Sequence, residues 1–136
     1  MALALINERT RAPIATEVEL ASTRATRRRG LLGRDSLSPS SALMLTPCVA
    51  VHTAFMRFAI DVVFLDKELR VVHVEHSVPP WRAVRGKGAK MVVELAAGEC
   101  SRLDVEIGDP LTLIPSAQGA AMPRRHLRPV EEARSQ

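Results

Sequence analysis

The sequence predicts a mainly β domain with one principal helix, and three observations carry that expectation. Residues 58–65 are β-branched, aromatic or aliphatic with Asp61 as the single charge, the composition of a strand buried on both faces. Residues 69–76 are again β-branched and alternating, and Asp66-Lys67-Glu68 between the two runs reads as a tight reversal, which makes a hairpin. Ser22 or Thr23 can cap a helix through about Gly33.

From the N-terminus, residues 3–7 and 14–20 are short strands. In the second, Thr16, Val18 and Leu20 alternate with Glu17 and Glu19, the pattern of a strand with one wet face. The helix follows, with Ala21, Ala25 and Leu32 facing the sheet and Arg27, Arg28 and Arg29 on the solvated side. Gly30 lowers helix propensity by about 1 kcal/mol relative to alanine, and such a residue allows close backbone packing. Residues 35–41 are a loop and 42–45 a strand. After the hairpin, Ser77-Val78-Pro79-Pro80 ends strand structure, since proline cannot donate to a ladder. Trp81, beside Arg82 on this stiff loop, is a plug under the loop or the lid of a pocket, the plug being preferred. Residues 83–89 read as a mobile loop. Gly86-Lys87-Gly88 lacks the spaced glycine and following serine or threonine of a phosphate loop. Residues 90–96 are another buried strand, interrupted by Glu94. Residues 100–107 hold a short helical turn, Gly108-Asp109-Pro110 reverses the chain, and 111–114 are the last strand. Residues 1–115 thus form a single β-rich domain, and the proline- and charge-rich residues 116–136 a frayed tail.

Side chains alternate along a strand, so Phe58, Ile60, Val62 and Phe64 share one face while Ala59, Asp61, Val63 and Leu65 share the other. Burying the Asp61 carboxylate without partners costs on the order of several kcal/mol, so it needs a partner. Arg57 is four positions away, about 13 Å along a strand, and reaches it only across a bulge or turn. Across the hairpin, a three-residue loop sets Asp61 opposite His73, and a loop of two or four sets it opposite Val74. Glu94 repeats the problem, and Asp61, Glu94 and Arg57 together suggest a buried or pocket-lining ionic cluster. Cys48 and His52, with His73 and His76 later, invite a zinc reading. Their spacing is not that of a recognised closed site, and neither a metal nor another cofactor is predicted. A Cys48–His52 nucleophile pair rests on the same residues.

The 136 residues fit one domain able to hold a core, and 46% hydrophobic with 25% charged residues is ordinary for a soluble protein. No run approaches the ~20 apolar residues of a membrane span. The start, MALALINERTR, has neither a basic leader nor a long apolar run, so a cytoplasmic location is expected. There both cysteines, Cys48 and Cys100, are free thiols. Basic residues cluster at 24–34 and 124–128, but aromatics are 3% with no tyrosine, so no stacking platform exists and nucleic-acid binding is disfavoured. The net charge of +4 is carried by arginine far more than lysine, which reflects genomic base composition rather than a partner.

MRFAIDVVFLD, the Pro80-Trp81-Arg82 run, VVELAAG, IGDPLTL and the RRRGLLGR of residues 27–34 resemble the bacterial and archaeal family called domain of unknown function 192, over about residues 18–114. The resemblance implies a compact β-sandwich or barrel-like domain with one principal α-helix packed on it. It implies no activity. Its recurrent positions fall here on Arg27, Gly30, Leu31 and Arg34, on His52, Thr53, Met56, Arg57 and Asp61, and on Pro80, Trp81, Glu94, Gly98, Gly108 and Asp109. The chain departs from the pattern at Ala59, where relatives usually have proline, and at Leu69, where they often have glycine.

Three function classes follow. The first is a binding domain whose polar cleft, lined by His52, Thr53, Arg57, Asp61 and Glu94 with Trp81 at its mouth, takes a small polar ligand or peptide. The second is an enzyme using Asp61 or Glu94 with His52 as an acid/base pair. The third is an interaction or scaffold domain with a purely structural polar core.

Overall fold

The computed structural model describes residues 2–116 and is mainly β. Nine strands occur among these residues: β1 (Leu3–Asn7), β2 (Ala12–Ala21), β3 (Ser41–Leu45), β4 (Ala50–His52), β5 (Ile60–Leu65), β6 (Val71–Val78), β7 (Ala83–Arg85), β8 (Met91–Ala96) and β9 (Leu111–Pro115). Two short helices, α1 (Arg24–Arg29) and α2 (Glu99–Arg102), complete the fold. The expected tail lies outside the described residues apart from Ser116, whose N–H donates to the Ala2 carbonyl.

Seven strands form one curled half-barrel sheet in the order β6-β5-β8-β3-β2-β1-β9. Neighbours are antiparallel except β2 and β3, whose parallel pairing needs a crossover, which residues 22–40 with α1 provide. The two ends of the sheet approach one another. Val71 N–H donates to the Asp109 carbonyl at 2.9 Å, Gly108 N–H to Val71 at 2.7 Å, and Leu111 N–H to Leu69 at 3.0 Å.

Curling divides the apolar residues into two clusters. Leu5, Ile14, Met44, Val63, Leu65, Val93, Leu95 and Leu111 fill the inner face. Leu43, Leu45, Ile60, Val62, Phe64 and Val92 lie on the outer face, covered by Leu31, Met56 and the two-stranded sheet of β4 and β7. All six residues of β5 are buried, and they alternate between the clusters as their period of two requires. Phe58 and Ala59 precede the strand rather than belonging to it.

The helix is shorter than the spacing predicts. Thr23 caps it by accepting from Thr26 N–H, but Gly30 ends it, in a conformation with φ of 48° that disfavours any side chain. Ala25 is consequently exposed, and Leu31, beyond the helix, is the residue that enters the outer cluster. The 83–89 segment is not a featureless loop, because residues 83–85 pair with β4 as Ala50↔Arg85, Val51↔Val84 and His52↔Ala83. Gly86 then lies so close to Phe64 that a Cβ would overlap the ring.

The hairpin register places Asp61 opposite neither His73 nor Val74. Asp66 N–H donates to the Arg70 carbonyl, so the loop is Lys67-Glu68-Leu69, with Leu69 at the positive φ where glycine is usual. Two register shifts then each place one extra residue in β6, giving Phe64↔His73, Val62↔Glu75 and Ile60↔Val78. At the second shift Asp61 Oδ1 accepts from Ser77 N–H at 2.8 Å, while Oδ2 accepts from Gly98 N–H at 3.1 Å and Cys100 N–H at 2.8 Å. Backbone donors, not a side-chain cation, answer the buried charge.

Two predictions follow from this packing. Gly86→Ala should lower stability by about 1–3 kcal/mol through overpacking against Phe64, measured by urea denaturation; an unchanged midpoint would contradict the close approach. Asp61→Asn should cost about 1–3 kcal/mol, because its amide cannot accept from all three N–H groups. A melting temperature equal to wild type would show that these bonds do not hold the fold.

Candidate functional site

Strand β8 carries Val92 and Glu94 toward the outer face, where Glu94 pairs across the sheet with Leu43 on one side and Val62 on the other. The segment after α1 and the stretch through β4 rise over this part of the sheet and leave a cavity of about 310 Å³ between them. Leu31, Leu45 and Met56 provide its apolar wall, Glu94 lies in its lining, and His52 and residues 27–29 reach it from the exposed side.

Glu94 is only 4% exposed, and among the described residues its carboxyl group makes no hydrogen bond. Burial pushes it up from 4.5 to about 7, opposed by the Arg34 guanidinium, which is itself paired with Glu19 at 2.9 Å. The half-buried Cys48 also lines the cavity; its thiol donates to the Ala50 carbonyl at 3.2 Å and is pushed up by burial, so it stays protonated and a poor nucleophile. The Cys100 thiol, on the inner face, is pushed up further by burial and by Asp61. No group of three or more His, Cys, Asp and Glu side chains placed to hold a metal ion occurs among the described residues.

Of the six residues expected to line one cleft, the structure brings together His52 and Glu94. Asp61 faces the opposite side of the sheet and is fully buried. Thr53 is also fully buried and clamps two loops: its hydroxyl donates to the Pro79 carbonyl at 2.7 Å and accepts from Arg82 N–H at 2.9 Å. Arg57 is exposed and pairs with Asp35 at 2.7 Å, not with Asp61 or Glu94. Trp81 is neither plug nor part of the cavity lining; it is 61% exposed and meets the ring of Phe55 edge-on, with centroids 4.6 Å apart. The ionic cluster therefore does not form, because adjacent β5 and β8 present their acids to opposite faces.

The residues the cleft expectation omitted are the arginines. Residues 27–29 look like a solvated helix face, and they border the cavity because the chain leaves the helix at Gly30 and folds Leu31 inward. The signal present in the sequence was the glycine directly after three arginines. A shallower groove of about 460 Å³ runs along β2, but its Glu17 is exposed and its Glu19 and Arg34 pair with each other.

The family model described as "Uncharacterized ACR" (DUF192) matches residues 5–113. A UPF0127 protein of Thermococcus sibiricus is 32% identical over 111 residues, covering 78% of this chain and 71% of that protein. Another UPF0127 protein, from Pyrococcus abyssi, is 45% identical over 65 residues, covering 47% of this chain and 55% of the relative. In fold, the chain is similar to the crystal structure of a protein of unknown function from Novosphingobium aromaticivorans. The TM-score is 0.72 at 20% identity, over 82% of this chain and 84% of that one. The match to the family model, which runs from β1 into β9, places the chain in the domain of unknown function 192 family.

Proposed function

We propose that the protein is a small binding domain whose outer-face cavity receives a small polar ligand or a peptide segment, with Glu94 and His52 as its polar contacts. The observation that carries this reading is Glu94, a carboxyl group withdrawn from water and, among the described residues, left without a hydrogen-bond partner. Such a group costs stability that no hydrogen bond among the described residues returns, whereas a bound ligand would supply the missing hydrogen bonds. Asp61 and Thr53, by contrast, are fully engaged with backbone groups, which suits a structural role.

A second reading is acid–base catalysis by Glu94 with His52. It is supported by their sharing one cavity and by Glu94 being pushed up to about 7, where a carboxyl group can exchange protons near neutrality. Asp61 is committed elsewhere. A cytoplasmic location belongs to the same proposal, supported by the two unpaired thiols, Cys48 and Cys100.

Two measurements test the role of Glu94. Its folded value lies above the unfolded 4.5, so its contribution to stability is fully present below pH 4.5 and is lost as pH rises toward about 7. Between pH 5 and pH 8 the wild type should therefore lose on the order of 3 kcal/mol more than Glu94→Gln in urea denaturation. Equal slopes would mean that the carboxyl group is solvated. In a thermal-shift screen of metals, nucleotides and small acids, a cavity ligand should raise the wild-type melting temperature by several degrees and that of Glu94→Gln far less. No shift with any compound would count against a binding role.

A further inference from the structure

We infer that the cavity ligand is dipolar: a small molecule or chain end whose ammonium group lies against Glu94 while its anionic group stays at the rim with Arg28 and Arg29. This deepens the binding proposal and rests on it. The charges that line the cavity are unevenly disposed. Among the described residues Glu94 is the single acid, flanked in the sheet by Leu43 and Val62, whereas residues 27–29 bring positive charge to the exposed side.

Those arginines are not equivalent. Arg27 already donates to the Ser22 carbonyl at 2.9 Å and to the Thr46 carbonyl at 3.4 Å. Neither Arg28 nor Arg29 makes an ion pair or a side-chain hydrogen bond among the described residues, so both are free to meet an anion. The other titratable groups at the cavity are His52 and the protonated Cys48, and Arg34, which also acts on Glu94, is occupied by Glu19.

Ligands of a single charge fit this arrangement poorly. A simple cation would have to pass the arginines, and a simple anion would satisfy the rim but leave Glu94 unpaired or repelled. A dipolar ligand answers both, and the apolar wall of Leu31, Leu45 and Met56 suits the methylene groups between its ends. At about 30 Å³ per water-sized group, the cavity of about 310 Å³ holds roughly ten non-hydrogen atoms.

The experiment is calorimetric titration of the full chain with the ω-amino acids from 4-aminobutanoate to 7-aminoheptanoate, beside the carboxylate and the amine of each chain length. At least one amino acid should bind ten times or more tighter than both its single-charge controls. Its affinity should rise about tenfold from pH 6 to pH 8, as the ionised fraction of Glu94 grows around its value of about 7. That rise should disappear in Glu94→Gln and persist in His52→Gln, whatever the affinity of the latter. Arg28→Gln with Arg29→Gln, both exposed positions, should weaken the amino acid tenfold or more while the amine binds no more weakly than to the wild type, since the repulsion it meets at the rim is gone, in a protein whose melting curve is unchanged.

Carboxylates or amines that bind as well as the amino acids would overturn the dipolar inference and leave the binding proposal standing. The same holds if no amino acid binds but another compound of the thermal-shift screen does so in a manner that depends on Glu94. Failure of every compound in both experiments would overturn the two together.

Discussion

A carboxylate removed from water with no cation beside it persists only where backbone donors converge on it, and the half-barrel is arranged around such a convergence. Asp61 stands on β5, whose side chains are buried on both faces, and it collects N–H groups from β6 and from the turn between β8 and α2. Three parts of the chain far apart in sequence are thereby held at one point. The extra residue in β6 turns Ser77 N–H toward the carboxylate, and the left-handed Gly98 and the first turn of α2 bring the other donors. The charge is costly to bury, and that cost is what makes the arrangement selective for one register.

A second buried acid closes the curl at the other side. Asp109 accepts from Asn7 Nδ2 at 2.8 Å, from Arg9 Nε at 2.5 Å and from Glu106 N–H at 2.8 Å, while its own carbonyl accepts from Val71. β1, β6 and the approach to β9 are tied together there. Thr53 plays the corresponding part on the outer face, holding the loops that present Phe55 and Trp81. Each of these polar groups is spent on the architecture.

Glu94 differs from them in kind. It stands one strand from Asp61, in a similarly apolar run, yet among the described residues the outer face offers it no backbone donor, because the covering segments arch away and leave a cavity. The same sheet thus solves one buried charge internally and leaves the other open to what comes from outside. That contrast, rather than the presence of polar residues in a cleft, is what singles out this surface of the domain.

Much of the architecture was legible in local pattern. The burial of β5 on both faces, the alternation of its side chains, the hairpin with β6, the Thr23 cap and the mainly β class follow from steric preference and from hydrophobic period, which act over a few residues. Of the candidate site, His52 and Glu94 stand out in the sequence, being unusual in their runs. Tertiary structure decided the rest. Bulges that no loop length discloses set the partner of Asp61, and β4 and β7 are strands of three residues held by each other, by Val51 and Val84 packed on the outer cluster, and by Gly86 resting on Phe64. Which arginines border the cavity depended on where Gly30 released the chain. The sequence by itself determined that Asp61 and Glu94 would be buried, because burial follows local composition within an apolar strand; only the tertiary structure decided which of them would find partners, because partners come from residues distant along the chain.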